Sequence, residues 1–169
     1  MEKIIQGKVP VTWTEEDYKN LDWFTHENIR QKFSADEVSK SFENIDVYTC
    51  NSNLPATLLD LADQFQLDTV ILAVNKMTPG QVLPFHSDKF LAYKKRNNIL
   101  ENQSITRIIV FLHDPKPGHQ LWIDKDFLTG SAGSYFGWKD QTVHMAANLG
   151  TEDRYILQIT GLDHKEVYL

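Results

Sequence analysis

Residues 69–88, TVILAVNKMTPGQVLPFHSD, decide the fold predicted for this chain. The first nine of these residues are mostly apolar and include several β-branched side chains, and a second apolar run leads to His86. Thr78-Pro79-Gly80, a typical turn sequence, separates the two runs. Runs of this kind, bounded by turn residues, are typical of β-strands. The segment therefore predicts two consecutive strands, at about 69–77 and 82–88.

The same pattern of short β-branched and aromatic runs continues towards the C-terminus. Turn sequences at 78–80, 114–118 and 129–133 separate the runs. Roughly eight closely spaced strands are typical of a double-sheet jelly roll, an architecture that cupins use. We therefore predict a jelly-roll core, also called a double-stranded β-helix, over residues 69–161. Its further predicted strands cover residues 104–112, 119–124, 133–138, 141–147 and 153–161.

The first part of the chain has helical periodicity instead. Thr14-Glu15-Glu16-Asp17 and Ser34-Ala35-Asp36-Glu37 have the form of helix starts, and Asn53-Leu54-Pro55 places a proline near a first turn. We expect an α+β, mainly β fold in a single domain, residues 1–169, in which residues 1–68 give helical support to the core. The residues at helical spacing are Tyr18, Leu21 and Phe24 or Thr25; Val38, Ser41, Phe42 and Ile45; and Leu58, Leu61, Ala62 and Phe65.

The composition is that of a soluble globular protein. Hydrophobic residues make up 41% of the chain and charged residues 24%, and the longest apolar runs are too short to span a bilayer. The N-terminus lacks the apolar stretch of a signal peptide, and Cys50, the only cysteine, has no partner for an intramolecular disulfide. A net charge of -6 disfavours binding to a nucleic-acid backbone. We expect a cytoplasmic protein without a membrane partner, for which a nucleic-acid partner is disfavoured but not excluded.

Four residues of the predicted strands indicate a redox centre. His86 and Asp88 lie two positions apart, so an extended backbone points both side chains to one face. His144 belongs to a later strand of the same core. Two imidazoles and one carboxylate on one face of a metal, with the other positions open, are typical of non-haem Fe(II) oxygenases. Arg154, ten residues after His144, offers a rigid fork of donors for a carboxylate.

The other histidines offer one competing metal site. His113 and His119 flank the turn at 114–118, and together with Asp114 they form an alternative zinc site. A turn with two prolines is more simply a connection between strands. We expect His26 and His164 to face solvent.

Five segments carry a family pattern around these residues. They are MTPGQVLPFHSD at 77–88, IVFL at 109–112, GHQLWID at 118–124, FGWKD at 136–140 and RYILQIT at 154–160. In this order and at this spacing they resemble the 2-oxoglutarate- and Fe(II)-dependent dioxygenases, in particular the prolyl hydroxylases and the aspartyl/asparaginyl β-hydroxylases. The resemblance covers roughly residues 70–161.

The resemblance implies that His86, Asp88 and His144 bind iron and that Arg154 binds the distal carboxylate of 2-oxoglutarate. It implies an enzyme that uses O2 to convert 2-oxoglutarate to succinate and carbon dioxide while it hydroxylates a substrate, and it is compatible with ascorbate as an accessory reductant. The closest motif similarities favour a prolyl or an asparaginyl/aspartyl residue as the substrate, in a peptide or free.

Secondary contacts to 2-oxoglutarate follow from the same comparison. Gln158 and Thr160 share a strand face with Arg154 and are expected to assist at the same carboxylate, although polar residues near the mouth of a barrel are an alternative interpretation. Leu121 is expected to pack on the cosubstrate. Ile156 departs from the pattern, because many relatives have Ser or Thr there.

Two basic features remain open at this level. Arg107 interrupts an apolar strand, so its side chain must reach either solvent or an anion. The resemblance implies a substrate or cosubstrate carboxylate as that anion, and an outward-facing arginine is the alternative. Residues 89–96 concentrate Lys89, Lys94, Lys95 and Arg96 beside the metal pair. This segment fits either a lid that favours acidic substrates or a solvated helix or loop face.

Other classes of function fit the sequence less well. A non-catalytic cupin-like module would bind a metal or a small ligand without turnover. A cupin-like hydrolase or isomerase would use another divalent metal as a Lewis acid and would need no oxygen. Within the dioxygenases, other small metabolites and nucleobases are alternative substrates, and the fold does not choose among them.

Overall fold

The computed structural model describes residues 4–25, 47–100, 103–139 and 142–163. These residues form short helices and two antiparallel sheets. The helices are α1 (Glu16–Lys19), α2 (Ala56–Leu59), which continues as a 3-10 helix (Asp60–Gln64), and α3 (Leu91–Asn97). The strands are β1 (Ile5–Lys8), β2 (Phe24–Thr25), β3 (Tyr48–Cys50), β4 (Leu67–Met77), β5 (Val82–His86), β6 (Ile105–Phe111), β7 (His119–Ile123), β8 (Asp126–Phe127), β9 (Ser134–Lys139), β10 (His144–Asn148) and β11 (Arg154–Asp163).

The two sheets form a jelly roll. The larger sheet has seven strands in the order β1-β9-β6-β11-β4-β3-β2, and the smaller has four in the order β5-β10-β7-β8. The two longest strands, β4 and β11, pair over most of their length, from Arg154 opposite Met77 to Asp163 opposite Leu67. The predicted fold class, mainly β with a jelly-roll core, is confirmed.

The central strand β11 separates two apolar clusters, because successive side chains of a strand point to opposite faces. Tyr155, Leu157 and Ile159 pack in the outer cluster, which the N-terminal part of the chain covers. Ile156 packs in the inner cluster between the sheets. The inner cluster is formed by Ile109, Phe111, Leu121, Ile123, Phe136, Trp138 and Ile156. Strand alternation therefore also directs Arg154, Gln158 and Thr160 into the space between the sheets.

The N-terminal part differs from its predicted helical character. The helix expected to run from Thr14 to Thr25 is limited to α1, and the residues that would continue it form β2, which pairs with β3. The physical reason is tertiary: hydrogen bonds to a neighbouring strand satisfy the backbone of 24–25 and override the local periodicity. Strands β1, β2 and β3 all extend the large sheet. The helix predicted after Ser34 lies outside the described residues.

The other observed boundaries lie within a few residues of the predicted ones. Three details of these elements bear on function or shape. The helix predicted after Asn53 ends as a 3-10 helix at Gln64. Strand β5 ends at His86, so Asp88 lies just beyond the strand rather than in it. Part of the basic segment 89–96 forms α3, with Lys94, Lys95 and Arg96 in its last turn. In the part of the chain that the structure describes, no helix has the length and apolar character needed to cross a membrane.

Candidate metal centre

His86, Asp88 and His144 meet at one end of the small sheet. His86 ends β5, His144 begins β10, and the two residues lie directly opposite each other in the pairing of these strands. Asp88 follows in the loop after β5. One ligating atom of each side chain lies within 4.8 Å of the others. Among residues 4–25, 47–100, 103–139 and 142–163, this is the only group of three His, Cys, Asp or Glu side chains that converge in this way.

Backbone hydrogen bonds orient both imidazoles. The Nδ1 of His86 lies 2.7 Å from the carbonyl oxygen of Pro84, and the Nδ1 of His144 lies 2.9 Å from that of Thr142. A carbonyl only accepts, so each Nδ1 carries the proton and donates it. In the neutral ring this leaves Nε2 as the acceptor, the atom through which such a histidine binds a metal. The two Nε2 atoms face Asp88, at 3.9 Å from Oδ1 for His86 and 3.6 Å from Oδ2 for His144.

Burial keeps the His144 imidazole neutral. The residue is 5% exposed, and its ring lies 4.3 Å from that of His86 and 4.4 Å from that of Trp138, measured between centroids. Desolvation of the imidazolium is the largest cause that lowers the pKa of His144 to about 4, and the Asp88 carboxylate opposes this shift. A neutral imidazole at ordinary pH is ready to bind a cation.

Asp88 supplies the carboxylate and retains capacity for a further partner. The Nη1 of Arg107 lies 2.8 Å from Oδ2 of Asp88. The contact is a close ion pair that lacks the alignment of a hydrogen bond, and buried Oδ2 receives no hydrogen bond from the described residues. A buried carboxylate oxygen without a donor fits a metal ligand. With the two imidazole Nε2 atoms, it forms the donor set that suits Fe(II) with open coordination positions.

Arg154 is a buried cation without an acidic partner. It begins β11, is 5% exposed, and its Nη1 contacts the Sδ of Met77 at 3.6 Å. Among the described residues no carboxylate lies within ion-pair distance of it. Burial lowers the pKa of Arg154 to about 10, so the guanidinium stays charged at neutral pH. An unpaired buried charge is costly, and an anionic ligand would remove that cost.

A cavity adjoins this arginine. Leu121 and Ile156 line it together with Arg154, as do Phe111 and His119. Leu121 and Ile156 thus lie beside Arg154, and the packing of Leu121 on a cosubstrate remains a prediction. His86, Asp88 and His144 do not belong to the lining residues. The cavity therefore lies beside Arg154 and apart from the candidate metal ligands.

Gln158 is connected to Arg107 rather than to Arg154. Its Oε1 accepts hydrogen bonds from the Nη1 of Arg107 and from the Nδ2 of Asn75, each at 3.2 Å. Thr49 donates in turn to the Oδ1 of Asn75 at 3.0 Å. Thr49, Asn75 and Gln158 thus form a chain of hydrogen bonds that reaches Arg107, the ion-pair partner of Asp88. Its predicted role at the distal carboxylate remains a prediction.

Arg107 faces the interior rather than solvent. Its guanidinium lies between Asp88 and the ring of Phe90, whose centroid is 4.8 Å from Cζ. Burial lowers the pKa of Arg107, and the neighbouring carboxylate opposes that shift. Phe90 has a φ of 51°, a conformation that is uncommon for a residue with a side chain. Of the two interpretations of Arg107, the structure supports the inward-facing one.

The alternative zinc site is not formed. His113 donates from Nδ1 to the carbonyl of Asp114 and accepts at Nε2 from the backbone N–H of Tyr155. His119 accepts at Nδ1 from the N–H of Lys116 and donates from Nε2 to the carbonyl of Glu152. All four ring nitrogens are engaged, so none is left for a metal. His26 and His164 lie outside the described residues.

Trp138 is a residue of the site that the sequence reasoning did not identify. Its ring contacts His144, and its Nε1 is buried and has no hydrogen-bond partner among the residues that the structure describes. The available signal was its place in the segment FGWKD, where alternation puts Phe136 and Trp138 on the same face.

Comparisons with known proteins support the fold. No protein-family model matches the sequence, and no curated protein is significantly similar to it. Among solved structures, a prolyl-4-hydroxylase from Pseudomonas putida is similar over 71% of this chain and 72% of its own, with a TM-score of 0.53 and 10% identity. A viral collagen prolyl hydroxylase from Paramecium Bursaria Chlorella virus-1 is similar over 76% of this chain and 85% of its own, with a TM-score of 0.51 and 13% identity. At these identities the likeness establishes a shared fold.

Proposed function

We propose that this protein is a 2-oxoglutarate- and Fe(II)-dependent oxygenase that hydroxylates an amino-acid residue, of prolyl or asparaginyl/aspartyl type, free or in a peptide. The observation that carries the proposal is the convergence of two imidazole Nε2 atoms with a buried carboxylate oxygen that accepts no hydrogen bond from the residues that the structure describes. The unpaired Arg154 in the same inter-sheet space supports a dicarboxylate cosubstrate. The shared fold of two prolyl hydroxylases is compatible with this assignment.

The reaction balances with O2 as oxidant. One oxygen atom enters a substrate C–H bond to give an alcohol, and the other enters the carboxylate of succinate as 2-oxoglutarate loses carbon dioxide. Bound Fe(II) supplies the activation of oxygen. His86, Asp88 and His144 would hold the metal, and ascorbate would be an accessory reductant.

The remaining side chains would position 2-oxoglutarate and the metal ligands, and they would exclude water from the site. Arg154 would bind the distal carboxylate through its donor fork, and Leu121 and Ile156 would pack on the methylene groups. Arg107 holds Asp88 in place and is itself held by Gln158. Because these groups are already positioned by strands and hydrogen bonds, little reorganisation would accompany binding.

The test is succinate formation from 2-oxoglutarate in air, with and without Fe(II), in the presence of capped amino-acid substrates. We expect His86→Ala and Arg154→Ala each to lower the rate at least about 100-fold. His86→Ala removes a proposed metal ligand, and Arg154→Ala leaves the distal carboxylate of 2-oxoglutarate without its counter-charge. Lys125→Ala, which removes a charge from an exposed turn, is the matched control and should retain the wild-type rate. Equal rates in the two site variants and the control would contradict the assignment.

A further inference from the structure

Three buried polar groups without a partner form a row across the inner face of the large sheet. Trp138 of β9 lies directly opposite Arg107 of β6, and Arg107 lies directly opposite Thr160 of β11. Directly opposed residues in an antiparallel sheet project to the same face and have neighbouring side chains. Trp138 Nε1, Arg107 Nε and Thr160 Oγ1 are all buried without a hydrogen bond in the part of the chain that the structure describes.

The row adjoins the metal centre. Trp138 contacts the ring of His144, and Arg107 forms the ion pair with Asp88. Trp138 is 4% exposed and Thr160 is fully buried, so bulk solvent does not reach either group. Most buried polar groups have partners, so three such groups side by side, next to the candidate metal ligands, require an explanation, and a ligand with hydrogen-bonding atoms provides one.

The hydrogen-bonding capacity of the row defines its ligand. Indole Nε1 and guanidinium Nε only donate, and the threonine hydroxyl can donate or accept. Two neighbouring donors require an acceptor oxygen. Arg107 is already neutralised in part by Asp88, so both an anionic carboxylate and a neutral carboxamide satisfy the row. An apolar pyrrolidine ring would leave all three groups unsatisfied.

The row is separate from Arg154. Thr160 lies six residues after Arg154 on β11, which corresponds to about 20 Å along an extended strand. One carboxylate therefore cannot contact both Arg154 and the Thr160 end of the row.

We propose that Trp138, Arg107 and Thr160 bind an oxygen of the substrate side chain, so that the hydroxylated residue carries a carboxamide or a carboxylate and is asparaginyl or aspartyl rather than prolyl. The inference rests on the proposed oxygenase function. Trp138 and Thr160 are specificity-determining residues in this proposal, and Arg107 joins them to Asp88.

The test is calorimetric binding to the Mn(II)-loaded protein with 2-oxoglutarate present, without turnover. The probes are the N-acetyl methylamides of asparagine, aspartate, proline and leucine; leucine has nearly the shape of asparagine without its polar atoms. We expect the asparagine probe to bind at least about tenfold more tightly than the leucine probe, as two satisfied hydrogen bonds imply. The aspartate probe shows whether the row also accepts the anion.

Variants then assign the preference to the row. Trp138→Phe and Thr160→Val should reduce the asparagine-to-leucine preference to below about threefold, because each removes a hydrogen-bonding group and keeps the shape. Trp122→Phe is the matched control, since Trp122 donates to Gln120, and it should retain the preference. Equal binding of the asparagine and leucine probes, or an unchanged preference in both row variants, overturns the inference. So does a Trp138→Phe variant that weakens only 2-oxoglutarate.

Turnover with Fe(II) separates this inference from the function on which it rests. Gain of one oxygen atom on the asparagine or aspartate probe supports both. Succinate formation with oxygen gained only on the proline probe retains the oxygenase and overturns the row assignment. Absence of succinate with every probe contradicts the oxygenase, while a preference for asparagine that is lost in Trp138→Phe still supports the row.

Discussion

At the scale of single residues, Arg154 is a buried cation with no carboxylate within ion-pair distance among the described residues. Its burial without an acidic partner predicts that the ligand-free protein tolerates its loss. We expect Arg154→Met to raise the free energy of unfolding by about 1–2 kcal/mol, since an apolar side chain of similar length replaces an uncompensated buried charge. The same variant should weaken 2-oxoglutarate binding to the Mn(II)-loaded protein at least about 100-fold. Urea unfolding and calorimetry measure the two effects, and a clear loss of stability would show that Arg154 already has a compensating partner.

A second residue-scale prediction concerns His119. Burial lowers the pKa of His119, and its Nδ1 accepts a backbone hydrogen bond that protonation would break. The unfolded chain therefore takes up this proton first as the pH falls, and stability present above about pH 6.5 is lost below it, at up to about 1.4 kcal/mol per pH unit. His119→Gln, which cannot titrate, should have a flatter dependence in urea unfolding between about pH 5.5 and about pH 7.5. Identical slopes in the two proteins would exclude His119 as the cause.

The candidate metal ligands could be predicted from the sequence because of their residue types and their order along the chain. Their geometry differs from the expected one, since β5 ends at His86 and Asp88 joins the group from the following loop. The row could not be predicted in this way. Whether Arg107 faces Asp88 or solvent depends on its register with Trp138 and Thr160, which are remote in sequence. Such pairings are set by the whole sheet rather than by periodicity.

At the scale of elements, the strands of five or more residues were predictable, and the shorter ones were not. β4, β6 and β11 contain enough β-branched residues to be recognised as strands from the sequence. β2 has two residues and exists because β3 satisfies its backbone. The helix predicted around α1 was longer than the observed one. Tyr18 lies in α1, but Leu21 lies beyond its end and Phe24 belongs to β2.

The turn between β6 and β7 gives an element-scale prediction. Gly118 has a φ of 91°, and an added Cβ would collide with the backbone of Gly150. Gly80 has a φ of 84°, and no described atom lies close to the corresponding position. We expect Gly80→Ala to lower the free energy of unfolding by about 1 kcal/mol and Gly118→Ala by at least about 3 kcal/mol, because only the latter adds a steric collision. Equal losses in urea unfolding would mean that the approach of the two turns is not tight.

At the scale of the whole molecule, the large sheet of the jelly roll has an apolar cluster on each of its two faces. The outer cluster joins the N-terminal part to the large sheet, and the inner cluster lines the space in which the candidate metal centre, the row and Arg154 lie. Substitutions in the outer cluster should change stability, while those of polar inner residues should change ligand binding. The similarity to prolyl hydroxylase structures concerns this shared scaffold, and a shared scaffold does not by itself determine function.

Ligand linkage tests the scaffold as one cooperative unit. Mn(II) with 2-oxoglutarate at about 100 times its Kd should stabilise the protein by about 2.7 kcal/mol, which corresponds to a rise in Tm of roughly 5–10 °C. Glutarate, which has both carboxylates and no keto oxygen for the metal, is the matched ligand and should raise Tm less. The difference between the two ligands should vanish in His86→Ala. A difference that persists there would place the keto group away from this metal site.

The most direct measurement is turnover under oxygen-18 gas, with Fe(II), 2-oxoglutarate and the asparagine probe. The predicted result is one oxygen-18 atom in each succinate and one in each hydroxylated product, with both signals lost in His86→Ala. Succinate that forms without oxygen, or that carries no label from the gas, would contradict the assignment of this jelly roll as an oxygenase.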